Sequence, residues 1–511
     1  MIAAIKKLLR QWNRQRLARR QLGKARQYKA RLDLAQRRHQ LGNGIAGPFP
    51  VIAWGVLTHM ATTAEQARCL RGIATASAQA RGQANSLVLT GDTHHVMMTE
   101  AFKTGCGAYI AVDARGAPHP DALTALLQMH MAADGAALID ATIFPQQHPK
   151  SFEPNTYDTP WVQRVCMLIP RTLYEQTLGF DPSLPAPQAD IALSERARAL
   201  GFKVKTCPAA LYFMTPEASS PAADTKSTGR LSVVCRFHDV RRLSELKRAV
   251  FSVACSAYPD IELLIVTQNF TAADIVVVQR AVAAIAQLAQ NPPSVQIVNH
   301  PCTPGKDART ELLNLGVVRS TGRYLAFLDH DDVIYPEAYG LLIGELAQTQ
   351  VGIAFGGIVT KHFECFDEVS QLRHTDPLNQ QGSLSALFKM NCCPIHSYVI
   401  DKSRISAHDL RFDEQLVRYE DYEFLLRICA HHLSSFKHYR TAIGDYYMKD
   451  DGSNSTLYLA SSASSANQAM WMEAKSRITQ RKQEIHLNSA VLEQLKLASP
   501  LNPMSIADYN A

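Results

Sequence analysis

The chain has 511 residues, of which 46% are hydrophobic, and a formal net charge of +7. A chain of this length exceeds one ordinary hydrophobic core, so we expect two domains with appended segments. No apolar run reaches the roughly eighteen residues that a membrane-spanning helix requires, so none is predicted. The eleven cysteines are scattered without a CxxC pair. This spacing argues against a disulfide framework or a zinc site and favours a reducing compartment.

The positive charge is concentrated at the N-terminus. Residues 1–40 hold thirteen Lys or Arg and one acid, Asp33, so the rest of the chain is mildly acidic. Apolar residues at helical spacing, from Ile2 to Trp12, accompany these charges. Three interpretations stay open: a solvated basic helix, a transit peptide, or an interfacial helix on an anionic membrane surface. We expect no nucleic-acid partner, because the body of the chain is acidic.

A segment rich in Pro, Ser, Ala and Thr, residues 215–229, indicates a linker between two halves. We predict a basic helical arm at 1–44, a first domain at 45–215, a linker at 216–229, a second domain at 230–458 and a C-terminal helical tail at 459–511.

Strands and helices alternate after this linker. Strands are predicted at LSVVC (231–235), IELLIV (261–266), SVQIV (294–298) and YLAFL (324–328), and helices at 242–255, 272–290 and near 311–320. This alternation predicts an α/β fold with a mostly parallel, Rossmann-like sheet and helices on both faces. Ligands of such sheets bind beyond the carboxyl ends of the strands.

Two acidic groups stand at the ends of predicted elements. The strand at 324–328 runs directly into Asp329, His330, Asp331 and Asp332. Carboxylates packed this closely repel one another, so either a divalent cation or water must compensate. Farther on, apolar residues at helical spacing place Glu420 and Asp421 at the start of a helix, where the helix dipole also favours acids.

These segments, in this order, resemble glycosyltransferase family 2, which has the GT-A fold. The resemblance covers roughly residues 230–458 and rests on LSVVCRFHD, AYPDIELLIV, NLGVVRSTGRYLAFLDHDD and RFDEQLVRYEDYEFLLR. It implies an inverting, metal-dependent transferase that takes a sugar from a UDP-, dTDP- or GDP-sugar. The implied acceptor is a glycan or lipid-linked saccharide in cell-surface polysaccharide synthesis. We therefore expect a cytoplasmic protein, peripheral at the inner face of the cytoplasmic membrane through residues 1–40.

The resemblance also implies the roles of the acidic residues. Asp331 would ligate Mg²⁺ or Mn²⁺ directly, and Asp329 would lie nearer to the ribose or a metal-bound water. Asp332 either joins them or caps the following helix. Asp421 is the expected base for the acceptor hydroxyl, with Glu420 as the adjacent alternative.

Donor contacts are less well defined, because the chain departs from the family at the end of its second strand. The usual acidic pair is replaced there by the neutral residues Thr267, Gln268 and Asn269, so the nucleotide stays open. Arg236 and Lys306 are each either phosphate-neutralising groups or solvated surface charges. The residues expected to bind the donor are Asp329, Asn314, Gln268 and Arg236.

The first half of the chain repeats the pattern in degraded form. VDARGAPHPDALTALL aligns without gaps on LDHDDVIYPEAYGLLI, and LGFDPSLPAPQADIALSERAR aligns with one extra residue on LRFDEQLVRYEDYEFLLRIC. We predict tandem GT-A-like domains. In the first domain Arg115 stands where the second has Asp331. A guanidinium cannot ligate a cation, so we predict that the first domain is not metal-dependent. The aligned pairs are Asp113 with Asp329, Arg115 with Asp331 and Asp190 with Asp421.

Two interpretations of this first domain stay open. Arg115 neutralises a diphosphate without metal, with Asp190 as the base and Asp92 at a nearby strand end, or the domain is a decayed copy that holds acceptor glycan or the partner domain. For the whole chain, the alternatives to a single active domain are a bifunctional transferase and a non-catalytic glycan-binding scaffold that retains the fold.

Overall fold

The computed structural model of the chain describes residues 51–58, 61–80, 84–132, 137–144, 166–184, 186–214, 229–286, 289, 292–366, 369–376, 378–379, 381–449, 465–497 and 503–511. The basic arm predicted at 1–44 lies outside these residues, and so does the predicted linker except for Gly229. Among the described helices, none is long and apolar enough to cross a membrane.

The first half of the described chain forms a seven-stranded sheet with five helices. Its elements are β1 (Val51–Leu57), α1 (Thr63–Gln79), β2 (Asn85–Gly91), α2 (His94–Lys103), β3 (Ala108–Asp113), β4 (Gly116–Pro118), α3 (Ala122–Ala132), β5 (Ala137–Phe144), β6 (Cys166–Pro170), α4 (Arg171–Thr177), α5 (Ala186–Ala199) and β7 (Lys203–Met214). The strand order is β2-β1-β3-β6-β5-β7-β4.

The second half forms a nine-stranded sheet. Its strands are β8 to β16, and its elements in chain order are β8 (Leu231–Phe237), α6 (Leu243–Ala254), β9 (Ile261–Gln268), α7 (Ala272–Ala286), β10 (Ser294–His300), α8 (Arg309–Arg319), β11 (Tyr324–Phe327), β12 (Val333–Ile334), α9 (Ala338–Gln348), β13 (Ile353–Phe366), β14 (Val369–Thr375), α10 (Leu384–Lys389), β15 (Tyr398–Asp401), α11 (Glu420–His431) and β16 (Ser434–Lys449). The C-terminal helices are α12 (Ser465–Glu484), α13 (Ser489–Gln494) and α14 (Ile506–Asn510).

The two sheets share one topology. The second sheet has the order β10-β9-β8-β11-β15-β13-β16-β12, with β14 paired to β13. Apart from β10 and β14, each strand has a counterpart in the first sheet at the same place and in the same direction. The expected tandem α/β fold class is confirmed. The helices after the repeated aspartate motifs also begin at aligned residues, Ala122 and Ala338.

The second sheet is mixed rather than mostly parallel. Strands β10, β9, β8 and β11 run parallel, as the alternation of strands and helices predicts, but β15 pairs antiparallel with both β11 and β13. Hydrophobic cores cover both of its faces, so the neighbours Val233 and Val234 belong to different cores. Burial on both faces explains why β8, β9 and β11 are almost continuously apolar.

Candidate functional site

The aspartate motif forms a tight turn at the carboxyl edge of the second sheet. β11 ends at Phe327, and β12 begins at Val333. The turn between them is closed by a hydrogen bond from the amide of Asp332 to the carbonyl of Asp329, at 3.1 Å. β8 runs parallel to β11 and ends at the same edge, which brings Arg236 next to the turn. This is the edge at which parallel α/β sheets bind ligands.

Arg236 lies between two carboxylates from distant parts of the chain. Its Nε and Nη2 donate to the two carboxylate oxygens of Asp329 at 2.6 and 3.0 Å, and its Nη1 donates to Oε1 of Glu420 at 2.8 Å. The Arg236 side chain is only 15% exposed. It is therefore not a solvated surface charge, one of the two interpretations that its sequence position allowed.

A second arginine pairs with Asp331. The Nη2 atom of Arg242 lies 2.7 Å from Oδ2 of Asp331, and Arg248 donates to the carbonyl of Asp331 at 3.3 Å. Burial alone would raise the pKa of the Asp331 carboxyl, but the charge and hydrogen bond of Arg242, together with other neighbours such as Lys449, outweigh it and hold this pKa well below its usual range. For Asp329, burial is likewise outweighed by Arg236, which lowers the pKa. Both side chains are therefore carboxylates at neutral pH.

Asp332 behaves differently from its neighbours. Its carboxyl is buried, and burial together with the charges of Asp331 and Asp329 raises its pKa well above the usual range. One carboxyl oxygen accepts a hydrogen bond from the amide of Tyr447 at 3.0 Å, and the other lies 3.4 Å from Nδ1 of His396. Asp332 thus anchors the turn to β16 and does not cap the helix that follows.

Glu420 and Asp421 open helix α11. The residue before them, Tyr419, has a left-handed backbone with φ of 58°, which is unusual for a residue other than glycine and often marks a functional site. Burial is the main cause, and the negative charge of Glu420 the second, of a rise in the pKa of Asp421 to about 7. A group with this pKa can accept a proton near neutral pH. A residue that only caps a helix does not require a raised pKa.

The aspartate turn fits a divalent cation that also binds phosphate. Among the described residues, no group of three or more His, Cys, Asp or Glu forms a closed metal site. Mg²⁺ and Mn²⁺ at phosphate sites usually take one or two protein carboxylates and complete their coordination with phosphate oxygens and water. Asp329 and Asp331, two neighbouring carboxylates that burial does not neutralise, match this donor set.

Two of the residues predicted to bind the donor form hydrogen bonds with other residues of the protein. The amide nitrogen of Gln268 donates to the carbonyl of Lys306 at 2.7 Å, and the ammonium of Lys306 pairs with Glu311. The side chain of Asn314 donates to the carbonyl of Phe412 at 3.0 Å and accepts from its amide at 2.8 Å. Asn314 therefore fixes the segment that leads to Glu420. The nucleotide-binding roles of Gln268 and Asn314 stay predictions.

The corresponding positions of the first domain are arranged differently. The guanidinium of Arg115 is bound by Asp113, with Nη2 to Oδ2 at 2.7 Å and Nε to both oxygens at 3.1 and 3.2 Å. Asp92 is exposed at the end of β2, and the side chain of Asp190 lies outside the described part of the chain. Arg115 is thus already neutralised by an acid of its own motif.

Sequence reasoning missed the residues that support the turn, above all Arg242, Arg248 and His396. One signal for Arg242 exists. Two consecutive arginines, Arg241 and Arg242, precede α6, where the positive end of the helix dipole disfavours cations unless an anion is near. His396 lies far from the turn in sequence and carries no such signal.

Comparisons with known proteins give a family match within the second domain. Residues 233–401 match the family described as Glycosyl transferase family 2. The matched segment includes Asp329 and Asp331 and ends before Glu420 and Asp421. No significant match was found among curated proteins.

Two solved structures also align with parts of this chain, both at low identity and low TM-score. Staphylococcus aureus TarS 1–349 in complex with UDP-GlcNAc is 14% identical over 52% of this chain and 70% of its own, with a TM-score of 0.35. The mannosyltransferase PcManGT from Pyrobaculum calidifontis, in complex with GDP-Man and Mn²⁺, is 14% identical over 45% of this chain and 60% of its own, with a TM-score of 0.32.

Proposed function

Since residues 233–401 belong to glycosyltransferase family 2, we propose that this glycosyltransferase domain is inverting and metal-dependent. It moves a sugar from a nucleotide-sugar, a UDP-, dTDP- or GDP-sugar, to the hydroxyl of a glycan or lipid-linked saccharide. The process it serves is the synthesis of cell-surface polysaccharide at the inner face of the cytoplasmic membrane.

One observation carries the proposal. Arg236 joins the aspartate turn to the start of α11, and the two ends of this bridge hold carboxyl groups with opposite pKa shifts. Asp329 and Asp331 have lowered pKa values, whereas the pKa of Asp421 is raised to about 7. Carboxyl groups whose pKa values are shifted in opposite directions within one site can take different roles. The group with the raised pKa transfers protons, and those with lowered pKa values bind positive charge.

Asp331 and Asp329 form the donor side of the site. They would hold Mg²⁺ or Mn²⁺, and the bound ion supplies positive charge to the diphosphate as it departs from the sugar. Arg242 and Arg236 now pair with these two carboxylates. If a cation were bound by the two carboxylates, the guanidiniums of Arg242 and Arg236 would be available to phosphate oxygens, for which their planar donor sets are suited.

Asp421 forms the acceptor side. It accepts the proton of the acceptor hydroxyl while the hydroxyl oxygen attacks the anomeric carbon from the face opposite the leaving diphosphate. A single displacement of this kind inverts the configuration of the sugar. The paired Glu420 is held by Arg236 and raises the proton affinity of Asp421, so that the pKa of the base lies near the pH at which it works.

The experiment that tests this function follows the anomeric proton during donor turnover. The full chain is incubated with Mn²⁺ and an α-linked nucleotide-sugar, and the released sugar is observed by proton NMR before it equilibrates. A β-sugar as the first product supports inversion. An α-sugar as the first product contradicts a single displacement.

A further inference from the structure

Helix α6 contacts the aspartate turn and the segment that follows it, residues 333–336. Arg248 and Ser252 are four residues apart and so lie on one face of the helix. From this face Arg248 donates to the carbonyl of Asp331 at 3.3 Å, and the hydroxyl of Ser252 accepts from the amide of Ile334 at 3.2 Å. Beyond the end of the helix, Ser256 donates to the carbonyl of Pro336 at 3.3 Å.

The adjacent face of α6 contacts the first domain. Lys247 and Phe251 are also four residues apart. They directly precede Arg248 and Ser252 in the sequence, so their face of the helix is rotated by about 100° from the first. The Nζ atom of Lys247 lies 2.8 Å from Oδ1 of Asp121. The ring of His119 meets that of Phe251 edge-on, with 5.1 Å between centroids.

The ion pair between Lys247 and Asp121 is shielded from water. The two side chains are 11% and 19% exposed, and a charge at such a place interacts far more strongly with its partner than one on the surface. The domains also meet where β14 lies against β7. Loss of the ion pair should therefore loosen α6 without separating the domains.

We propose that the first domain is a positioning part of the donor site, in which Asp121, through Lys247, fixes helix α6 and with it the turn that carries Asp331. Lys247 and Asp121 are positioning residues, since neither touches the turn. Arg242, which pairs with Asp331, stands five residues before Lys247, only about 7.5 Å along the helix axis. A displacement at Lys247 is therefore transmitted to the carboxylates. The proposal rests on the donor-binding role of the turn stated above.

The test uses the full chain with Lys247→Met, Asp121→Asn and the double variant. Lys437→Met is the control, because it makes the same chemical change in another ion pair of 2.8 Å, with Glu345, outside α6 and the turn. Two readouts are needed: amide hydrogen exchange over residues 329–335 without ligand, and the affinity for UDP and for GDP with Mn²⁺.

Each single variant is expected to exchange faster over 329–335 and to bind the nucleotide with Mn²⁺ about tenfold more weakly. The double variant removes both charges and should regain thermal stability, because no unpaired charge stays buried. Its affinity should stay low, which a purely stabilising ion pair would not explain.

Unchanged exchange and affinity in Lys247→Met, or equal effects in Lys437→Met, would overturn the proposal. Recovery of affinity together with stability in the double variant would overturn it as well. Faster exchange in Lys247→Met, combined with no nucleotide binding by the unaltered chain, would support the mechanical link and overturn the donor-binding role of the turn.

Discussion

Asp329 and Glu420 share one counter-ion: the guanidinium of Arg236 lies 2.6 Å from the first and 2.8 Å from the second. This contact connects the aspartate turn, on the proposed donor side, to the first residue of α11, on the proposed acceptor side. A change in charge at one end therefore alters the electrostatic environment of the carboxylate at the other. Burial raises the pKa of Asp421 most; Glu420 raises it further, and Arg236 opposes the rise.

The pH dependence of turnover follows from this pKa. A base is active only when deprotonated, so kcat/KM should rise with pH and reach a plateau above the pKa of Asp421, which lies at about 7. In Glu420→Gln the neighbouring negative charge is gone, and the midpoint should move to lower pH. A pH–rate profile of both proteins measures this. A midpoint that does not move, or moves upward, would contradict the electrostatic role of Glu420.

Asp421→Asn should lower kcat by ~10²–10⁴ while donor affinity changes by less than about twofold, because a base acts on the acceptor in the transition state. Single-turnover kinetics and a donor titration separate the two effects. Glu420→Gln is the companion variant. If Glu420→Gln is inactive and Asp421→Asn is active, the roles within the pair are reversed.

The first domain should not bind nucleotide by itself. Asp113 already occupies the guanidinium of Arg115, which leaves little positive charge for a diphosphate. We expect that a full chain carrying Asp331→Asn shows no binding of UDP or GDP in chelator. Tight metal-independent binding that is lost on adding Arg115→Ala would instead identify a second live site. Binding that requires Mn²⁺ would contradict the charge argument altogether.

The basic arm is expected to attach the chain to anionic membranes. Deletion of residues 1–40 removes thirteen Lys or Arg and should release the chain from anionic vesicles without unfolding it. Binding of the full chain should weaken as salt is raised, because salt screens exposed charges. Sedimentation with vesicles compares the two chains at several salt concentrations. Equal sedimentation of both would exclude this role.

The elements around the site were largely predictable from local patterns. Apolar runs predicted β8, β9, β10 and β11 to within a few residues, and helical spacing predicted α6, α8 and α11. Burial on both faces makes strands almost uniformly apolar, and this signal is strong in one sequence. The turn at Asp329 was predictable for the same reason, since a buried strand ends abruptly in charge.

Contacts between distant segments were not predictable. Nothing local indicates that Arg236 bridges Asp329 and Glu420, or that Asp121 of the first domain pairs with Lys247. The raised pKa of Asp332 depends likewise on burial of its carboxyl in the folded chain. Such properties depend on how the elements pack against one another. The spacing of apolar residues in a strand or helix indicates which face is buried, but not which element covers that face.

The central claim is that Asp331 holds a cation that the transfer reaction needs. Its most direct test is the release of nucleoside diphosphate from UDP-, dTDP- and GDP-sugars by the full chain, with Mn²⁺ and with chelator. The variants are Asp331→Asn and the control Asp260→Asn, whose carboxylate forms an exposed ion pair 3.0 Å from Arg230. We predict turnover of at least one donor with Mn²⁺, loss of at least about 100-fold in chelator and in Asp331→Asn, and no loss in the control. Equal turnover by Asp331→Asn in chelator would contradict the claim.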